Sequence, residues 1–303
     1  MNIIVIGSQG FIGSHLCDYF VETGNTVYGA DIAEMPANAA YTYIMVSRFS
    51  DQWEELLRSV DLDICINAAG SGNVSYSITH PLIDFEANTL DVIKILDALR
   101  KYRPGCKYLH ISSAAVYGNP SSLPVSEKAK PDPISPYGFH KMMSEALCHE
   151  YHKLFRLSVA IVRPFSIFGE GLRKQLLWDL CNKLKENKPV TLFGTGNETR
   201  DFIHISDFMQ LTEVIINSGT FSGEVYNAAS GSEISIRKIS EIFEKHFGNN
   251  GPIHFNGESK PGDPVNWLAD ITAVKKLGFV PKANFEVSVV QYINWFKQLH
   301  EVR

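Results

Sequence analysis

The chain has 303 residues, 45% hydrophobic and 20% charged, ordinary for a globular protein and enough for one large α/β domain or up to two domains. Its formal net charge of -5 comes without a basic stripe, which argues against nucleic acid as a partner, and no apolar run approaches the ~20 residues of a transmembrane helix. Five widely spaced cysteines without a Cys-x-x-Cys pair point to neither a disulfide framework nor a zinc site, so reduced thiols in a cytoplasmic protein are expected.

Asn2–Ile6 is a short continuous apolar run, the pattern of a parallel strand buried on both faces, and it starts so early that no leader peptide is expected ahead of it. It runs into Gly7-Ser-Gln-Gly10-Phe11-Ile12-Gly13 and then into an amphipathic helix carrying Leu16, Tyr19 and Phe20. A glycine turn at a strand-to-helix junction lets the backbone approach a pyrophosphate, and the helix N-terminus offers amide donors and a positive dipole end. The spacing is Gly-x-x-Gly-x-x-Gly, so it matches the dinucleotide fingerprint by mechanism and not letter for letter. Thr26–Ala30 is a second strand ending in Asp31, an acid about 20 residues on that can accept hydrogen bonds from an adenosine ribose and repel a 2′-phosphate. NAD is therefore expected, with NADP as the alternative, and Arg48 near the end of the third strand softens the preference.

Asp63–Asn67 is a fourth strand, leaving through the small residues Ala68-Ala69-Gly70. Phe85–Lys101 has a strong helical pattern, with Asn88 early in it, and Lys107–Ile111 is a fifth strand delivering Ser112-Ser113 and then Val116-Tyr117-Gly118. Pro136 opens another apolar-periodic run, in which Tyr137 and Lys141 are spaced to share one helical face. A free tyrosine titrates near ~10, and an ammonium one turn away favours its phenolate. On its own Tyr-x-x-x-Lys is also a common pair on an ordinary amphipathic helix. Leu157–Val162 is the sixth strand, followed by Arg163-Pro164-Phe165-Ser166. Alternating strands and helices imply a doubly wound parallel sheet of the Rossmann type. Past Gly169 the pattern changes to a helix at Leu176–Lys185, a strand at Val190–Phe193, the segment Arg200–His204, and helices near Ile236–Phe247 and Val287–Leu299. The expected division is a dinucleotide-binding domain over 1–168, with 200–232 contributing, and a smaller substrate-binding domain over 169–303. No metal is expected, because His149 and His152 lack the i, i+4 spacing of a helical zinc pair.

In order, Gly7-x-x-Gly10-x-x-Gly13, Asp31, Asn67-Ala68-Ala69-Gly70, Ser112-Ser113 with Val116-Tyr117-Gly118, Tyr137-x-x-x-Lys141, Arg163-Pro164-Phe165, Arg200-Asp201-Phe202-Ile203-His204 and Pro261-Gly262-Asp263 resemble the extended short-chain dehydrogenase/reductase family, in its branch of nucleotide-sugar epimerases, dehydratases and reductases. The resemblance covers nearly the whole chain. It implies that Tyr137 is the catalytic acid/base, that Lys141 lowers its pKa and holds the nicotinamide ribose, and that Ser113 hydrogen-bonds the reacting sugar oxygen. It places Gly7, Gly10, Phe11, Ile12 and Gly13 at the pyrophosphate, Asp31 at the adenosine ribose, and Ala68, Ala69, Gly70 and Pro164 along the cofactor. Arg200 would meet the diphosphate of a sugar nucleotide, a bidentate role suited to guanidinium, and Asp263 the nucleotide ribose. Ala114 and Ala115 stand where the 4,6-dehydratases carry an acid, which argues against dehydration; Ser166 and Lys260 replace asparagine and arginine common in relatives near the nucleotide. The implied chemistry is NAD-dependent oxidoreduction at sugar C4. Epimerisation of a nucleoside-diphosphate hexose is expected, against the alternatives of an NAD(P)H-dependent 4-keto-6-deoxyhexose reductase and of a non-catalytic dinucleotide-binding scaffold. The resemblance also implies a homodimer formed through the Phe85–Lys101 and Tyr137 helices.

Overall fold

The computed structural model describes residues 1–34, 39–47, 52–186, 188–248, 252–258, 262 and 264–301. Arg48, Lys260, Pro261 and Asp263 lie outside the described residues. A seven-stranded parallel sheet is built from β1 (Asn2–Ile6), β2 (Thr26–Asp31), β3 (Thr42–Met45), β4 (Ile64–Asn67), β5 (Lys107–Ile111), β6 (Val159–Pro164) and a strand supplied much later, Ser222–Ala228. Their order across the sheet is the late strand, β6, β5, β4, β1, β2, β3. The chain therefore winds one way from β1 to β3 and the other way from β4 to β6, so β1 and β4 flank a switch point where ligands bind outside the carboxyl ends.

The apolar runs alternate between two cores. Ile3 and Val5 of β1, Ile64 and Ile66 of β4, Leu109 and Ile111 of β5, and Ala160 and Val162 of β6 face one core with Leu16, Cys17 and Phe20 of helix α1 (Phe11–Glu22). Ile4 and Ile6, Cys65, Tyr108, and Val159 and Ile161 face the other. There they meet α2 (Gln52–Ser59) and α5 (Asp91–Tyr102) through residues such as Trp53, Leu57, Ile95 and Leu99. A continuous hydrophobic strand is what this two-sided burial requires, since successive side chains point to opposite faces. The edge strand β3 is only half-covered, with Met45 65% exposed.

Between β4 and α5 lie α3 (Val74–Thr79), α4 (Pro81–Phe85) and a π turn over Glu86–Leu90. The single Phe85–Lys101 helix read from periodicity is therefore interrupted, and the π turn buries Ala87, Asn88 and Thr89 together. A 3₁₀ turn (Ala114–Tyr117) follows β5 and leads to α6 (Pro136–Phe155). The remaining elements are β7 (Ser166–Phe168), α7 (Gln175–Lys185), β8 (Val190–Leu192), β9 (Thr199–His204), α8 (Ile205–Ser218), β10 (the late strand Ser222–Ala228), β11 (Glu233–Ser235), α9 (Ile236–Phe247), β12 (Ile253–Phe255), α10 (Thr272–Lys276) and α11 (Phe285–Glu301). β10 pairs with β6 in parallel, Ala228 opposite Pro164, while α7, α9 and α11 enclose a third core with Phe168, Phe202, Phe243, Tyr292 and Phe296. Strand β6 begins two residues later than the Leu157–Val162 reading because its register is set by β5 and β10, with Val159 opposite Tyr108 and Ser222.

The glycine turn is held by close packing. Gly7 has φ +85°, and a Cβ there would lie 2.6 Å from the Ala69 nitrogen; a Cβ at Gly13 would lie 2.0 Å from the Gly7 carbonyl oxygen. Gly13→Ala is expected to destabilise the chain by about 1–3 kcal/mol in denaturant unfolding, the usual magnitude for overpacking. Gly105→Ala, where an added Cβ meets nothing within 4 Å, should stay within about 0.5 kcal/mol of the parent.

Candidate active site

The carboxyl ends of the parallel strands deliver the residues singled out by the sequence to one edge of the sheet. Gly7 follows β1, Asp31 ends β2, Ala68-Ala69-Gly70 follow β4, Ser112 and Ser113 follow β5, and Pro164 ends β6. At the switch point the Ala68 amide donates to the Ile6 carbonyl (2.9 Å) and the Gly7 and Ser8 amides to the Ala30 carbonyl (2.8 and 3.3 Å), which clamps the glycine turn between its neighbours.

The residues present fit a dinucleotide. Gly10 is the N-cap of α1 and no side chain caps the first turn, so the amides at Phe11 and Ile12 are left for an anion. A Cβ at Gly10 would touch only the Gly7 carbonyl, at 3.3 Å, so its outer side is open. Asp31 is partly engaged: its Oδ2 accepts from the Gln9 amide (2.9 Å) and its Oδ1 from the amides of Ile32 (2.7 Å) and Ala33 (3.1 Å). Those bonds latch the glycine turn to β2 and fill three of the roughly four acceptor positions of a carboxylate.

Helix α6 starts from three pins. Pro136 occupies its first turn, the Ser135 hydroxyl accepts from the Gly138 amide (3.2 Å), and the Ser77 hydroxyl of α3 accepts from the Tyr137 amide (3.1 Å). Gly138 is required because a Cβ there would lie 2.6 Å from the Ala115 carbonyl oxygen, so α6 rests directly on the 3₁₀ turn. That contact brings Tyr137 to Ser113, which itself caps the 3₁₀ turn by accepting from the Ala115 amide (3.1 Å). Lys141 is 4% exposed and donates to the Ile111 carbonyl at the end of β5 (3.0 Å). Over Gly70, which has φ +124°, its ammonium shares the space with Asn88 Oδ1, a buried acceptor with no partner among the described residues.

The expected lowering of the Tyr137 pKa by Lys141 is not what this arrangement produces. Burial raises the phenol to about 12, the Ser113 hydroxyl pulls it down and the Asp84 carboxylate pushes it up. Lys141 is itself lowered to about 8 by burial, against the opposing charges of Asp84 and Glu145. Desolvation disfavours the charged form of either group, and the ammonium is directed at a backbone carbonyl.

Behind this edge lies a buried ionic network. Arg163 of β6 donates twice to Glu145 of α6, Nε to Oε1 at 2.9 Å and Nη2 to Oε2 at 2.6 Å, and through Nη1 to the Tyr117 hydroxyl at 2.8 Å. Ser112 donates to Glu145 Oε1 (2.5 Å) and the Tyr117 hydroxyl to Asn227 of β10 (2.7 Å). The sequence marked Arg163 as part of a motif but assigned no role to Glu145 or Asn227; Glu145, four residues after Lys141, was the available signal.

On the other side, Arg200 of β9 is half-buried, donates to the carbonyls of Thr199 (2.8 Å) and Val265 (3.2 Å), and lies 5.8 Å from the Trp267 ring. Asp201 points to the opposite face of the strand, fully buried, and its carboxylate accepts from the amides of Ser230, Gly231 and Ala269. Ser166 opens β7, half-buried and opposite Phe202. Lys260 and Asp263 lie outside the described residues.

Arg163→Met leaves Glu145 buried without its cation and is expected to cost about 3–5 kcal/mol. The double variant Arg163→Met/Glu145→Gln should recover part of that loss, read as a positive coupling in a double-mutant cycle by denaturant unfolding.

A model of the NAD dependent epimerase/dehydratase family matches residues 3–229. The chain is 28% identical over 303 residues to a putative UDP-glucose 4-epimerase of Methanocaldococcus jannaschii, covering 97% of this chain and 98% of the relative. It is 26% identical over 314 residues to a UDP-glucuronate 4-epimerase of Thermodesulfobacterium geofontis, covering 97% and 96%. The crystal structure of UDP-glucuronic acid 4-epimerase from Bacillus cereus, in complex with UDP-glucuronic acid and NAD, is similar with a TM-score of 0.90 and 30% identity, covering 99% of this chain and all of that one. No helix among the described residues is long and apolar enough to cross a membrane. The family match begins in β1 and ends just past β10, taking in the glycine turn, α6 and its ionic support, and the chain belongs to the NAD dependent epimerase/dehydratase family.

Proposed function

We propose that the chain is an NAD-dependent nucleotide-sugar 4-epimerase, acting in the cytoplasm as a homodimer. The observation that carries the reading is the convergence of Ser113, Tyr137 and Lys141 at the carboxyl ends of β4 and β5, beside a glycine turn with an uncapped helix N-terminus. NAD, when bound, supplies the acceptor and donor of hydride at the sugar carbon. Gly7, Gly10, Phe11, Ile12 and Gly13 would hold its pyrophosphate and Asp31 its adenosine ribose. Ala68, Ala69, Gly70 and Pro164 would line its course, and Lys141 the nicotinamide ribose.

Tyr137 exchanges a proton with the 4-oxygen of the sugar, accepting it in one half of the reaction and returning it in the other, while Ser113 holds that oxygen by a hydrogen bond. Arg200 and Ser166 are assigned to the diphosphate side, with Lys260 and Asp263 assigned to the nucleotide from the sequence alone. Ala114, fully buried, and Ala115 present no acid beside Ser113, which supports epimerisation over dehydration. We assign residues 1–168 and the returning stretch 200–232 to the dinucleotide side and the rest of 169–303 to the sugar nucleotide. Five buried free thiols support a reducing compartment. Exposed Leu82, Ile83 and Leu90 beside Phe139 and Met143 of α6 support a dimer through these helices.

One observation favours a second reading. Burial of the Tyr137 ring favours its protonated form, the form a 4-ketoreductase needs at the outset. Purified protein given a panel of nucleoside-diphosphate hexoses separates the two: interconversion without added cofactor is expected, and stoichiometric NAD(P)H consumption with a 4-keto sugar would overturn epimerisation. Tyr137→Phe is expected to lower kcat by about 10²–10⁴-fold with the fold unchanged; unaltered turnover would remove the catalytic assignment. In sedimentation experiments Phe139→Glu/Met143→Glu should convert a dimer into a monomer.

A further inference from the structure

Lys141 carries a charge into a dehydrated site, and the described residues offer two carboxylates to balance it, Glu145 and Asp84. Glu145 is already committed: Arg163 takes both of its oxygens and Ser112 shares one of them. Asp84 of α4 is different. It is 0% exposed, its Oδ2 accepts a 2.6 Å hydrogen bond from His140 Nδ1, and its Oδ1 has no hydrogen-bond partner among the described residues. No arginine or lysine pairs directly with it among those residues.

His140 sits between Tyr137 and Lys141 on α6, immediately before the lysine and one turn after the tyrosine. Its side chain is 11% exposed, the Phe85 ring packs against it edge-on at 5.5 Å, and the Thr89 hydroxyl of the π turn donates to its carbonyl (3.0 Å). Helix α4 thus delivers a carboxylate to the His140 ring, and the π turn after it a clamp to the α6 backbone, at the level of the acid/base pair.

We propose that Asp84 and His140 form a charge-setting dyad for Tyr137 and Lys141, with Asp84 as the counter-charge of the buried ammonium and His140 holding that carboxylate in place. The dyad places one buried carboxylate, held by a single hydrogen bond, beside the helix turn that carries both groups. Asp84 and His140 are positioning residues, acting through their neighbours. The proposal rests on the assignment of Tyr137 and Lys141 as the acid/base pair.

The other groups facing these residues do not reproduce the effect. Lys141 is faced from α6 by Glu145 and Cys148, from the segment before α7 by Lys174, and from β5 by His110, whose neutral form is favoured by burial and by the ammonium itself. Tyr137 is faced by Ser113 and Asp84. The negative field of Asp84 favours the protonated form of both Tyr137 and Lys141, so its removal must move both titrations the same way, to lower pH.

Asp84→Asn, nearly isosteric and still able to accept from His140, is therefore expected to shift both limbs of the pH profile of kcat/KM downward, by about one pH unit. His140→Leu, which strips the carboxylate of its donor, should shift them in the same direction, and His140→Gln, which can still donate, should restore them. Lysine side-chain NMR titration of the substrate-free protein, with the Lys141 resonance assigned from Lys141→Arg, reads the same effect without turnover. A Lys141 resonance in Asp84→Asn that titrates at the wild-type pH overturns the dyad, whatever the activity. A shifted resonance in a protein that turns over no sugar nucleotide supports the dyad and overturns the acid/base reading instead.

Discussion

The buried face of α6 is the constraint on which the rest of the molecule depends. Tyr137, His140, Lys141, Ser144, Glu145 and Cys148 all point into the protein, and a helix can bury so polar a stripe only if every group finds a partner. The partners come from four other elements: Ser77 of α3 for the helix start, Asp84 of α4 for His140, the Ile111 carbonyl of β5 for Lys141, His110 of β5 for Ser144, and Arg163 of β6 for Glu145. The strand order follows this demand, since β5 and β6 must be adjacent to present His110, Ile111 and Arg163 to one helix.

This arrangement also explains why charge balance and reactivity are inseparable here. An ion pair between Arg163 and Glu145 contributes little net stability once its desolvation is counted, but breaking it leaves a buried charge. It holds the end of β6 against α6 and leaves Lys141 with a carbonyl and the more distant Asp84 as its compensation. A tyrosine in such surroundings stays protonated until positive charge is added nearby, which a bound oxidised nicotinamide carries. Burial raises the phenol to about 12 and lowers the ammonium to about 8, so proton affinities that are nearly equal in water move apart, in favour of the phenol.

Much of this was legible in the chain. The four apolar residues Ile3–Ile6, the three spaced glycines and Asp31 have local causes: two-sided burial, a turn too tight for a Cβ, and a strand end in register with the turn. The Tyr137–Lys141 face follows from helical spacing alone. Other features were hidden because their causes are distant in sequence. Nothing near Phe85 announces a π turn, which exists because Asn88 lies over Gly70 and Thr89 bonds the His140 carbonyl. The contribution of 200–232 to the first domain came only with the resemblance; the pairing that delivers it, β10 on β6, closes a hydrophobic edge built some sixty residues earlier and has no local cause near Ser222.

The direction of the Tyr137 shift marks the same boundary. Spacing established that an ammonium stands one turn from the phenol, and that was correct. Whether the ammonium or the loss of water governs the phenol depends on how deeply the pair is buried and where the lysine points, and those are properties of the packed structure. The sequence by itself determined the parallel sheet, the glycine turn and the shared helical face of Tyr137 and Lys141, because each rests on local periodicity or sterics. Only the tertiary structure decided the direction in which burial shifts Tyr137 and Lys141, because solvation and counter-charge come from α4, β5 and β6, which meet α6 only once the chain has folded.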